Sequence, residues 1–113
     1  MFYMPQYHNL PDGRQVFLRF PDPQRHAQAV SALLEGVPSG EAGEAFLTAA
    51  NAHPLRLVLV AEIAGAAAAC GLLDLEDAPR MQAAVSEPFR GLGLEQLLEE
   101  AMAAVAAQKG VEV

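Results

Sequence analysis

From Gln15 to Phe20 the chain reads Gln-Val-Phe-Leu-Arg-Phe, a β-rich run that follows the turn signal Pro11-Asp12-Gly13 and predicts a strand over 15–20. The period then lengthens. Asp22-Pro23 supplies an N-cap and a first-turn proline, and Ala27, Val30, Leu33 and Leu34 recur at helical spacing up to Gly36, which predicts a helix over 23–35. Val37-Pro38-Ser39-Gly40 interrupts the pattern. Beyond it Ala42, Ala45, Phe46 and Ala49 share one side of a second helix over 41–51, closed before His53-Pro54.

The next three segments read as strands. Arg56 to Glu62 is short, apolar and partly β-branched, and Ile63-Ala64-Gly65 starts a turn. Ala66 to Ala69 favours helix by propensity but is too short to nucleate one, so a hairpin into a strand over 70–75 is the better reading. Met81 to Val85, bounded by Pro79 and Pro88, predicts another strand ending at Ser86. From Leu92 onward Leu94, Leu97, Leu98, Ala101, Met102 and Val105 trace one face of a helix that Lys109-Gly110 closes. Val111-Glu112-Val113 returns to extended sequence, as a strand after a crossover helix does. The predicted order is β-α-α-β-β-β-α-β, an α/β chain of α+β type with a mixed sheet, preceded by an arm over residues 1–12 that carries Phe2, Tyr3 and Tyr7.

The 113 residues predict one domain over 1–113, and 52% hydrophobic against 19% charged residues supply a core. Seven Lys and Arg against fourteen Asp and Glu leave a charge of -7, which disfavours nucleic acid and anionic membrane surfaces as partners. Cys70 is the only cysteine, so no internal disulfide forms, and a reducing cytoplasmic setting is expected. The first residues lack a basic signal region, and the longest apolar stretch, Leu57 to Leu73, is broken by Glu62 and two glycines, so neither a signal peptide nor a membrane span is expected.

Candidate chemistry concentrates in Val85-Ser86-Glu87-Pro88-Phe89-Arg90-Gly91-Leu92-Gly93-Leu94-Glu95-Gln96-Leu97-Leu98, a strand, a glycine-containing loop and a helix start. Glycines let backbone approach a ligand, the first turn of a helix presents unpaired N–H groups, and Arg90 adds positive charge, so the segment suits a phosphate or pyrophosphate. A dinucleotide fingerprint competes, with Glu112 about twenty residues on, but Gln96 stands where its third glycine belongs. His8, His26 and His53 have no partner at i+3 or i+4, and no metal site is expected. Cys70 reads as a small hydrophobe, and Ser31, Ser39 and Ser86 lie in no nucleophile turn. Glu95, Glu99 and Glu100 form an acidic helix face that solvent accounts for.

Read from Arg90, the run Arg90-Gly91-Leu92-Gly93-Leu94-Glu95 resembles the pyrophosphate loop Arg/Gln-x-x-Gly-x-Gly/Ala of the GNAT superfamily of acyl-CoA-dependent N-acyltransferases, with Glu95 at the sixth position. Leu10-Pro11-Asp12-Gly13, the acidic-Pro helix start and Leu57 to Glu62 look like bacterial protein-lysine acetyltransferase domains of that superfamily. The resemblance spans Gly13 to Val113. It implies two N-terminal helices, a mixed sheet, and acetyl-CoA as cosubstrate bound where two parallel strands splay. Val85 would lie against the pantetheine arm, and the backbone of Arg90, Gly91, Leu92, Gly93, Leu94 and Glu95 would cradle the pyrophosphate.

The superfamily often places a base about ten residues before the Arg/Gln, which lands here on Arg80, a cation at neutral pH. Glu76, Asp77 and Glu87 lie nearby but off that position, so the catalytic residues and the amine acceptor stay unassigned. The chain also ends before the further strands and helix the superfamily carries. That predicts an open sheet edge and a homodimer covering it. An N-acetyltransferase and a truncated, catalytically inactive module binding acyl-CoA or a protein partner are the two functions expected.

Overall fold

The computed structural model describes residues 5–76, 79–108 and 110. Its elements are β1 (Gln6–Asn9), β2 (Gln15–Arg19), α1 (Pro23–Leu33), α2 (Gly40–Ala52), β3 (Arg56–Ile63), β4 (Ala66–Asp74), β5 (Arg80–Val85) and α3 (Leu94–Gln108), with a 3-10 turn at Glu87–Phe89. One sheet runs β1-β2-β3-β4-β5, and every neighbouring pair is antiparallel. The parallel pairing expected of a mixed sheet belongs to residues 111–113, which lie outside the described residues, as do Phe2 and Tyr3 of the arm.

Residues 6–9 correct the reading of 1–12 as an arm. They form an edge strand paired with β2 from Gln6↔Leu18 to Asn9↔Gln15. Their sequence, Gln-Tyr-His-Asn, carries no apolar alternation, and what holds them is the ladder together with Tyr7 stacked on Phe17 at 4.8 Å between centroids. The turn residues were legible: Leu10 N–H donates to the Arg14 carbonyl at 2.8 Å, and Asp12 accepts from the N–H and Nε of Arg14.

β4 starts at Ala66 rather than Cys70. Pairing with β3 (Ala66↔Ile63, Ala67↔Glu62) overrides the helical preference of the alanines. Ala64 and Gly65 both have positive φ, 51° and 83°, as a two-residue hairpin turn matching the strand twist requires. Four residues on, Ala61 faces Ala69 while Glu62 faces Ala67, so Ala68 is the extra residue of a bulge. α1 is capped by Asp22, whose carboxylate accepts from Gln24 N–H at 3.0 Å and Arg25 N–H at 3.2 Å; the bond from Arg25 N–H is the main cause that holds this carboxyl below its usual range.

The sheet is covered on both sides. Leu59, Ala61 and Ile63 of β3 pack with Leu94, Leu98, Met102 and Val105 of α3 on one face. Val58 and Val60 join Cys70 and Leu72 of β4 against Val30 of α1 and Leu47 and Ala50 of α2 on the other. The period-2 alternation of β3 assigns Glu62 to the α1–α2 face, where it is buried. At Gly71 a Cβ would stand 2.8 Å from Met102 Cε, so the missing side chain is what lets α3 lie close to β4. Cys70 is fully buried, and burial pushes its thiol up to about 12, so it stays protonated as a small hydrophobe. Among the described residues no helix is long and apolar enough to cross a membrane.

Candidate functional site

The glycine segment begins where β5 ends. Ser86 N–H donates to the Ala68 carbonyl at 2.8 Å, carrying the ladder one residue beyond Val85 and fastening the loop to the bulge of β4. Pro88 then sits in a tight turn, with Phe89 N–H on the Ser86 carbonyl and Arg90 N–H on the Glu87 carbonyl. Gly91 and Gly93 have φ of 83° and 81°, a region that other L-residues enter only under strain. That conformation aims the chain into α3, whose first turn closes with Leu97 N–H on the Gly93 carbonyl at 3.1 Å.

None of the main-chain N–H groups from Gly91 to Gln96 meets an acceptor among the described residues. Four of these residues, Gly91, Gly93, Leu94 and Glu95, line a cleft of about 500 Å³ together with Ala84, Val85, Phe89 and Arg90. Six of the seven residues expected at a cofactor site thus come together: Val85, Arg90, Gly91, Gly93, Leu94 and Glu95. The seventh, Leu92, packs against the core beneath α3 and is not among the residues that line the cleft. Leu94 is also a core residue, so the helix start is anchored by the burial that shapes the cleft.

Electrostatics at the cleft are mixed. Arg90 is exposed and makes no ion pair among the described residues. Glu95 lies inside the first turn of α3, where the helix dipole favours a carboxylate and a bound phosphate would be repelled by it. A helix start whose N–H groups lack acceptors among the described residues, two glycines without side chains and one guanidinium together fit a pyrophosphate.

The positions considered for a base lie elsewhere. Arg80 opens β5 opposite Asp74, its guanidinium 4.0 Å from the Asp74 carboxylate and largely exposed. Asp74 is also 3.6 Å from Arg56, and Glu76 is held by Arg56 at 3.1 Å. Glu87 is exposed in the 3-10 turn, and Asp77 lies outside the described residues. The histidines are dispersed: His8 bonds Gln6, His26 reaches Glu62, and His53 accepts from Leu55 N–H.

Sequence reasoning missed a second corner. Glu62, 4% exposed, meets Arg25 at 2.7 Å, His26 at 3.0 Å and Arg19 at 3.6 Å. Its signal in the sequence was the lone charge inside the apolar stretch Leu57 to Leu73; its partners, 36 to 43 positions away, carry no local signal.

No protein-family model matches the chain, and no curated protein matches it by sequence. Solved structures do match. An acetyltransferase of the GNAT family from Streptococcus pneumoniae superposes with a TM-score of 0.70 at 18% identity, over 86% of this chain and 70% of its own. The GNAT domain of S. lividans PAT gives 0.70 at 21% identity, over 95% of this chain and 74% of its own. The putative acetyltransferase yncA of Salmonella typhimurium, solved with its cofactor acetyl-CoA, gives 0.62 at 18% identity, over 85% and 65%. The chain has the fold of the GNAT acetyltransferases.

Proposed function

We propose that the chain is an acetyl-CoA-dependent N-acetyltransferase whose cosubstrate binds at the glycine loop. The observation that carries this reading is the run of N–H groups from Gly91 to Gln96 with no acceptor among the described residues, four of whose residues line an open cleft beside Arg90. In this reading Val85 lies along the pantetheine arm, the backbone of Gly91 through Glu95 holds the pyrophosphate, and the Arg90 guanidinium neutralises part of its charge. Acetyl-CoA supplies the thioester. A neutral amine attacks its carbonyl carbon, a C–N bond forms as the C–S bond breaks, and the amine proton leaves as the CoA thiol is released. The chain's contribution is orientation of the two reactants.

A second reading, binding of acyl-CoA or a protein partner without turnover, is favoured by Arg80, which stands at the expected base position and is neighboured by a carboxylate that Arg56 also engages. Thiol release from acetyl-CoA with a panel of amines, lysine peptides included, run beside calorimetry, separates the two. Turnover supports transfer, binding alone supports the second reading, and the absence of both removes the glycine loop as a CoA site.

A homodimer in the cytoplasm is part of the proposal, as is folding of residues 1–113 as one domain. Among the described residues β5 pairs only with β4, and in the proposal a second copy covers the sheet edge on that side, beyond residues 111–113. Light scattering at micromolar concentration tests it: a monomer of 12.0 kDa would contradict the dimer.

A further inference from the structure

A second cleft, of about 580 Å³, lies where the β3–β4 turn meets β2 and the start of α1, and it shares no lining residue with the glycine-loop cleft. Three of the chain's seven basic residues line it: Arg14, Arg19 and Arg25. Glu62 faces it from a buried position, its side chain 5% exposed.

The two oxygens of Glu62 are used differently. Oε2 accepts from Arg25 Nη2 at 2.7 Å and from His26 Nε2 at 3.0 Å. His26 Nδ1 accepts the Asp22 N–H at 2.8 Å, which places the ring proton on Nε2 and fixes the direction of that second bond. Oε1 receives no hydrogen bond from any described residue, and Arg19 Nη1 stands 3.6 Å away. Among the described residues no sealed side-chain oxygen lacks a partner, so Oε1 keeps a face open to the cleft.

The guanidinium groups have spare donors too. Arg14 spends Nε and Nη2 on Asp12, and Arg19 spends Nε on the Phe20 carbonyl, which leaves Arg14 Nη1 and Arg19 Nη2 without an acceptor among the described residues. An open, desolvated carboxylate oxygen takes an ammonium, and free guanidinium edges take a carboxylate. A simple anion would face Glu62, and a simple cation would face three arginines. A molecule carrying both charges meets neither repulsion. The volume lies within the range of small-ligand clefts, roughly 300–1,000 Å³.

We propose that this corner binds a free α-amino acid, with its ammonium on Glu62 Oε1 and its carboxylate on Arg14 and Arg19. The site is independent of the acyl-CoA reading. Calorimetric titration of the full chain with each standard amino acid, and with acetate and methylamine as the two half-ligands, tests it. Saturable binding of an amino acid is expected, with each half-ligand weaker by about tenfold or more. Arg14→Ala, a rim change at a side chain 44% exposed, should weaken that binding by about tenfold with an unchanged melting temperature. Glu62→Gln should weaken it as well. Failure of the folded wild type to bind any amino acid, a half-ligand binding as tightly as the whole, or an affinity indifferent to Arg14→Ala would each overturn the proposal.

Discussion

Two corners at one end of the sheet handle polar groups in opposite ways. At the start of α3, main-chain donors from Gly91 to Gln96 are left open, Arg90 is unpaired among the described residues, and two glycines at positive φ keep side chains out of the way. At the β3–β4 turn the groups are side chains, and Arg25 and His26 converge on one buried oxygen of Glu62 with Arg19 standing near the other. The first corner is made by local backbone conformation and is carried on a helix start anchored in the core. The second is made by long-range packing and ties β3 to α1. A substitution in the first should act mainly on acyl-CoA affinity; one at Glu62 should cost stability and leave acyl-CoA affinity unchanged.

The largest effect is expected where the first corner depends on the core. Leu98, on the buried face of α3, is fully buried, and Leu98→Ala should cost about 2–5 kcal/mol of unfolding free energy in urea titrations. Acetyl-CoA binding should fall with it as the helix start loses its seat. Glu62→Ala comes next. It strips two charged hydrogen bonds from a buried site, but Arg25 is half exposed and can be resolvated, so a loss of about 1–3 kcal/mol is expected. If the corners are separate, acetyl-CoA affinity measured by calorimetry stays at the wild-type value.

Gly91→Ala sharpens the contrast from the other side. Its Cβ would meet nothing within 4 Å, so the penalty is conformational, roughly 1–2 kcal/mol for a left-handed alanine. Acetyl-CoA binding should weaken by about tenfold or more, since each misplaced charged hydrogen bond is worth roughly 1.5–3 kcal/mol. Glu95→Gln should act in the opposite direction: a carboxylate about 7 Å from a phosphate in a water-like medium repels by roughly 0.6 kcal/mol, so its removal should tighten acetyl-CoA about threefold.

The smallest effect belongs to Asp22, which neighbours the second corner through its bond to His26. Its folded-state carboxyl lies below the usual value because Arg25 N–H bonds the charged form, so its stabilisation is present at neutral pH. It is lost as pH falls below about 4 and through the folded-state value. The urea midpoint of the wild type should therefore drop more between about pH 5 and pH 3 than that of Asp22→Ala. Equal pH dependence in the two proteins would contradict the cap.

The difference between the corners also explains what the sequence disclosed. Arg90-Gly91-Leu92-Gly93 could be read because glycine conformation and a helix start are local properties, and the apolar face of α3 follows from its spacing. β1 escaped because Gln6 to Asn9 has no apolar alternation and exists only through pairing with β2. The Glu62 corner escaped for a related reason. Its charge was visible in the apolar stretch, but Arg19, Arg25 and His26 meet it only after β2, β3 and α1 have packed. Leu92 is a smaller case: a loop position by sequence, it spends its side chain on the core.

The central claim is that acyl-CoA engages the free N–H groups at the start of α3. A ¹H–¹⁵N amide spectrum of the labelled chain, recorded during titration with acetyl-CoA, reads those groups one by one. The account predicts that the largest shifts fall on the amides of Gly91, Leu92, Gly93, Leu94, Glu95 and Gln96, saturating together, while the amides of Arg19, Arg25 and Glu62 stay in place. Saturating shifts confined to the Glu62 corner, or an unchanged spectrum at the glycine loop, would contradict it.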